Sequence, residues 1–227
     1  MAKQRPPFLQ GGRFNVHPVV DTRRNRGFTL LELMISLAIL TMVSGMLFTL
    51  AQSLNQAAVS QEAKIAAQDE ARQGMELVVN ELRQAAISSL VGPFPGPSIS
   101  YRVAGDVDNN GTAVDRSGNL ELLPARTIRR DAGDANGDRR TTTQIVLITP
   151  NRPVRVVTNN VLLNEDADNN NVLSATEDLN RNGRLDRGIW FERVGQGARI
   201  TIQAQHRAGP RGPLMYSTLT EIVTPRN

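Results

Sequence analysis

Residues 28–51 read FTLLELMISLAILTMVSGMLFTLA, a run of 24 residues in which Glu32 is the only charged side chain. As a helix, such a run is long enough to cross a hydrocarbon core about 30 Å thick. The pattern then changes without a break. Leu50, Leu54, Ala57, Ala58, Ile65, Met75, Val78, Val79, Leu82, Ala86 and Ile87 recur largely at steps of three and four. Polar residues such as Gln61, Glu62, Lys64, Gln68, Asp69 and Arg72 fill the positions between them. This spacing predicts that the apolar helix continues as an amphipathic one over residues 52–90. No proline occurs from residue 28 to residue 91. A single helix from Phe28 to about Ser89 would span roughly 90 Å at 1.5 Å per residue. Gly45 and Gly74 are its expected weak points, each costing about 1 kcal/mol against alanine.

The sequence VGPFPGP at residues 91–97 ends the helical pattern in a loop. Beyond it, short strands are predicted over residues 98–104, 143–149, 154–158, 188–194, 199–204 and 216–224. Ile200, Ile202 and Ala204 alternate with Arg199, Thr201 and Gln203, as on a strand with one buried face. The expected fold is α+β: one long N-terminal helix packed on a mainly antiparallel sheet, with residues 91–227 as the β-rich globular domain.

Charge sharpens the N-terminal picture. The formal net charge is +4, yet residues 1–27 hold six basic side chains against Asp21 alone. The remaining 200 residues hold 20 basic and 21 acidic side chains. The basicity therefore belongs to a leader, and no nucleic-acid partner is expected. Aromatic residues, at 4% of the chain, are too few for a base-stacking surface. The cluster Arg23, Arg24 and Arg26 precedes the apolar run and is expected to stay cytoplasmic, which leaves the rest of the chain outside. The absence of cysteine excludes disulfides and thiolate metal sites.

An ordinary secretory signal is cut after its apolar run. Here the suggestive site precedes it: a basic leader ending in Gly27, then Phe28, then Glu32 four residues on. Over residues 27–50 this resembles the type IV prepilin processing motif. The resemblance implies that prepilin peptidase cleaves after Gly27 and methylates the new amine of Phe28, although 27 residues is long for such a leader. It also implies a type IV pilin-like fold, insertion in the inner membrane with a periplasmic C-terminal domain, and later residence in a pilus or at the cell surface.

Glu32 needs a reason to be where it is, since a carboxylate in an apolar span costs about 2.5–3.5 kcal/mol on insertion scales. Three readings stand open: a pair with the Phe28 amine of a neighbouring subunit, as in the family; an intramolecular pair with its own Phe28 one turn away; or a charge tolerated near the interface of a plain membrane tether. The stretches LVVNELRQA at residues 77–85 and IVTPRN at 222–227 are similar to PilW-type minor pilins and to J-type pseudopilins of type II secretion. The missing helix-breaking proline favours a minor subunit. The partners implied are other pilins and minor pilins, the peptidase, and a tip adhesin. Tip-most subunits of the family often lack the acid at Glu32, which implies a place just below the tip.

Four segments, residues 106–111, 131–138, 166–177 and 178–186, are rich in Asp, Asn and Gly. In the third, Asp166, Asp168, Asn170, Val172, Ser174 and Glu177 fall at positions 1, 3, 5, 7, 9 and 12, the oxygen-ligand spacing of an EF-hand loop. In the fourth, Asp178, Asn180, Asn182, Gly183 and Asp186 fall at positions 1, 3, 5, 6 and 9, without an acid at 12. Hard oxygen ligands point to Ca²⁺. The competing reading is plain turn chemistry, for which the same residue types are favoured. No nucleophile–base set, phosphate loop or histidine-rich site appears, and with His17 in the leader only His206 is left, so no enzymatic activity is expected.

Overall fold

The computed structural model describes residues 28–140, 142–166, 170, 172–179 and 183–226. Helix α1 covers Leu30–Arg83. The chain divides into two compact units, Met1–Leu50 and Ala51–Asn227. In the first, every described side chain is exposed. The most apolar 18-residue stretch of the helix has a mean hydropathy of 2.2 with none of it buried, so by length and composition it qualifies as a membrane span.

Within the second unit, α1 buries Ala63, Ala67, Ala71, Gly74, Met75, Val78, Val79 and Leu82. These positions form one stripe at steps of three and four. Its first half is built from small residues, which lets the helix backbone come close to the sheet. A Cβ on Gly74 would lie 2.7 Å from Cγ2 of Thr158, so this glycine is a packing requirement rather than a weak point. Thr158 is fixed there because its hydroxyl donates to the Glu70 carbonyl and to Glu70 Oε2, both at 2.9 Å. The Asn160 side-chain amide donates to Glu70 Oε1 at 3.1 Å. Ile65, expected on the apolar stripe, is exposed instead, as are Leu50 and Leu54. Ile65 falls between Ala63 and Ala67 and so points away from the stripe.

The helix stops at Arg83, short of Ser89. The last N–H groups bond three residues back, Gln84 to Glu81 and Ala85 to Leu82, and the Arg83 carbonyl accepts the Arg226 N–H at 3.2 Å. Ala86 then donates to the Arg102 carbonyl at 2.9 Å, so the chain leaves the helix by entering sheet-like pairing. A 3₁₀ turn, Ile87–Ser89, follows.

Seven strands form two antiparallel sheets. The first has the order β1 (Ser98–Tyr101), β2 (Arg126–Arg130), β3 (Ile145–Ile148), β4 (Arg155–Thr158). The second has the order β5 (Ile189–Val194), β6 (Gly197–Arg207), β7 (Leu214–Val223). Single bridges, Gly96 with Phe191 and Val161 with Ala204, join the segments around them. The architecture is thus α+β as expected, with two sheets in place of one. Ile200, Ile202 and Ala204 are fully buried along β6, which confirms the alternation read there. Strand β2 was not foreseen: RTIRR has a single apolar residue, Ile128, which is fully buried opposite Ile99 and Leu147.

The arginines around Ile128 are tolerated because α1 answers one of them. Glu81 Oε2 accepts from Arg126 Nη1 at 2.9 Å and from the Tyr101 hydroxyl at 2.8 Å. Burial first, and the Glu81 carboxylate second, push the Tyr101 phenol well above its ordinary range near 10. The unfolded chain loses this proton near pH 10 while the folded chain keeps it, so the contribution is complete below pH 10 and is lost as pH rises beyond it. Tyr101→Phe should therefore lower stability at pH 7 by about 1.5–3 kcal/mol through the lost hydrogen bond to a charged group. The gap to the wild type should narrow above pH 10, measured by denaturant unfolding of the full chain in detergent at pH 7 and pH 11; a gap that stays constant would contradict the assignment.

Candidate functional sites: the helix N-terminus and the acidic loops

Phe28 is exposed, and Gly27 lies outside the described residues. Thr29 and Glu32 close a reciprocal cap on the first turn of α1. The Thr29 N–H and hydroxyl both donate to Glu32 Oε2, at 3.0 and 3.1 Å, while the Glu32 N–H donates to Thr29 Oγ1 at 3.2 Å. This is a capping box, with Thr29 as N-cap and Glu32 three residues on. The pattern Thr-x-x-Glu was present in the sequence, and the reading of Glu32 as a pairing charge passed over it. A carboxylate in the first turn also faces the positive end of the helix dipole. The cap engages one oxygen only; Oε1 has no partner among the described residues.

The apolar run can carry this charge. It contains 12 Leu, Ile, Phe and Val residues. Each contributes up to about 0.3–0.6 kcal/mol to insertion, at most about 4–7 kcal/mol together, against about 2.5–3.5 kcal/mol for a central carboxylate. Insertion wins, and the position of Glu32 near the end of the run lowers its cost further.

Among the acidic loops, Asp168, Asn180 and Asn182 lie outside the described residues. Asp166 is fully buried and its Oδ2 accepts from Arg187 Nη2 at 3.0 Å and Nε at 3.2 Å. The same guanidinium stacks on the Trp190 ring at 4.2 Å. A cation at Asp166 would therefore share it with an arginine. Asp186 is also buried, its Oδ1 accepting from the Gln203 amide at 3.3 Å and its N–H donating to Glu165 Oε2 at 3.3 Å. Asn170 Oδ1 accepts the Val172 N–H at 2.6 Å, and the Val172 side chain is exposed. Ser174 donates its N–H and hydroxyl to Glu177 Oε2, at 3.2 and 2.6 Å.

Three loops share one turn. Gly111 donates to Asp106 at 2.8 Å, Arg139 to Asp134 at 3.0 Å and Gly183 to Asp178 at 3.0 Å, each from the sixth residue back to the first carboxylate. The sixth residue has positive φ each time, at 84°, 66° and 69°. In the first of these loops, carboxylate oxygens of Asp106, Asp108 and Glu121 lie within 4.8 Å of one another. Glu121 had no sequence signal, because it reaches the loop from outside it and accepts the N–H groups of Val107 and Asp108. Elsewhere, the Gln144 amide, at 2.7 Å, is the main cause holding the Asp138 carboxyl below its usual range.

Residues 22–48 match the prokaryotic N-terminal methylation motif. The match covers the basic cluster, Gly27, Phe28, the Thr29–Glu32 cap and most of the apolar run. It supports a type IV pilin-like prepilin, in a pilus or a pseudopilus, and is consistent with a membrane-anchored chain. None of the curated proteins and none of the solved structures compared with the chain matched it.

Proposed function

We propose that the chain is a minor pilin of a type IV pilus, cleaved after Gly27 and built by its N-terminal helix into a priming complex below the filament tip. The methylation-motif match over residues 22–48 carries this reading. Cleavage would turn the Phe28 nitrogen from an amide into an amine. Held at the positive end of its own helix dipole, that cation gains more from a neighbour's carboxylate than from its own helix end. Glu32 offers Oε1 for that pair while Oε2 keeps the cap. Pairing offsets the cost of both charges in an apolar surrounding and sets how far one helix is displaced along the next. The leader basicity supports a cytoplasmic N-terminus and a periplasmic globular domain. A J-type pseudopilin of type II secretion would use the same chemistry.

The cap and the charge can be separated, because glutamine closes a capping box as glutamate does. With Glu32→Gln as the sole copy, membrane insertion and leader cleavage should match the wild type while incorporation into filaments falls at least about tenfold, a loss of roughly 1.4 kcal/mol or more of pairing. Glu32→Ala should lose assembly too, with added fraying of the first turn. Normal incorporation of Glu32→Gln, scored by immunoblot of sheared filaments, would show that the carboxylate charge is not used.

A second reading is Ca²⁺ binding in the acidic loops. It is favoured by the convergence of Asp106, Asp108 and Glu121, whose oxygens suit a hard cation. The sequence spacing extends the proposal to Asp166, Asp168, Asn170, Val172, Ser174 and Glu177, and to Asp178, Asn180, Asn182 and Asp186. At a hundredfold excess over Kd, Ca²⁺ should stabilise the full chain by about 2.7 kcal/mol. That is a rise in Tm of roughly 5–10 °C over an EDTA-treated sample. Asp106→Asn with Asp108→Asn should remove part of the rise, and identical melting with Ca²⁺ and EDTA would count against calcium.

A further inference from the structure

On the sheet side of α1, a small cavity of 130 Å³ is lined by Glu81, Arg126, Leu147, Thr149, Arg152, Pro153 and Arg155. Three guanidinium groups, which stay charged at any physiological pH, meet a single carboxylate there. Glu81 cannot neutralise them. Its Oε2 is shared by Arg126 at 2.9 Å and the Tyr101 hydroxyl at 2.8 Å. Its Oε1 lies 3.8 Å from Arg155 Nη1, an ion pair too long for a hydrogen bond. The Arg152 guanidinium has no side-chain partner among the described residues. Its side chain is exposed, but the backbone that carries it is set by the β3–β4 turn, where the Arg152 backbone N–H bonds to the Thr149 carbonyl at 3.2 Å and Asn151 takes φ 58°. Glu81 is thus an anchor that orients two arginines and leaves the cavity with an excess of two positive charges.

We infer that this cavity is an oxyanion site, taking a single phosphate-like or carboxylate group. Its size suits one anionic group: whole small-molecule sites run from about 300 to 1,000 Å³, and this cavity has 130 Å³. Arginine forks match the two oxygens of a carboxylate or phosphoryl group, and the guanidinium N–H groups of Arg152 and Arg155 have no hydrogen-bond acceptor among the described residues. Buried Leu147 forms an apolar floor, while Arg152, Pro153 and Arg155 are exposed, so an anion can reach the site from solvent. The Glu81 carboxylate repels an entering anion, so the site depends on the two arginines that Glu81 does not engage by hydrogen bonds.

The test uses the full chain in neutral detergent, titrated with inorganic phosphate and separately with acetate at constant ionic strength set by sodium chloride. Binding is read from chemical-shift changes of arginine side-chain N–H signals. Saturable changes are expected, with an apparent affinity for the preferred anion at least about fivefold lower in Arg152→Ala. That variant removes no bond in the Glu81 network, and its circular dichroism should match the wild type. Saturation by phosphate alone identifies a phosphoryl-type site; saturation by acetate supports a carboxylate, as a neighbouring protein would present. No saturation by either anion, or an affinity equal to the wild type in both Arg152→Ala and the double variant Arg152→Ala with Arg155→Ala, overturns the assignment.

Discussion

A helix that is apolar on all sides must be covered by something, and the first half of α1 sets this demand on the whole molecule. From Phe28 to Ala51 every side chain is exposed in the isolated chain. Water is a poor solvent for such a surface, at about 25 cal/mol for each Å² left uncovered. In the proposed reading, lipid would cover it before assembly and other apolar helices afterwards, so that one segment would serve as anchor and as packing element. Cleavage at the methylation motif, as proposed, would distinguish the two states by creating a charged amine beside Glu32.

The second half of α1 is built to different rules. Ala63, Ala67, Ala71 and Gly74 keep the buried stripe small, with Gly74 against Thr158 of β4, and larger residues at Met75, Val78, Val79 and Leu82 join the core with both sheets. Two glutamates then fix its position. Glu70 holds the β4 end through Thr158 and Asn160, and Glu81 holds β1 and β2 through Tyr101 and Arg126. Both lie on the sheet-facing flank of the helix, and each ends in more than one hydrogen bond. This arrangement costs less than a lone buried charge.

Much of this was legible in the sequence because it is periodic. The apolar run, the change to a three-and-four spacing and the alternation along β6 each leave a repeat that a single chain displays. What escaped was local chemistry or long-range contact. Strand β2 has one apolar side chain, and its arginines make sense only once Glu81 is opposite Arg126. Ile65 fits a loose apolar spacing but not the narrower stripe that the small residues impose. Glu121 joins Asp106 and Asp108 across a chain separation that no spacing rule covers. The Thr29–Glu32 cap was readable and was hidden by attention to the charge.

Mass spectrometry of the N-terminus, on protein taken from membranes of cells with and without prepilin peptidase, tests the central claim most directly. The account predicts a chain beginning at N-methylated Phe28 when the peptidase is present, and an uncleaved leader when it is absent. A leader still attached to Phe28 in both strains would contradict it and leave a tethered domain in its place.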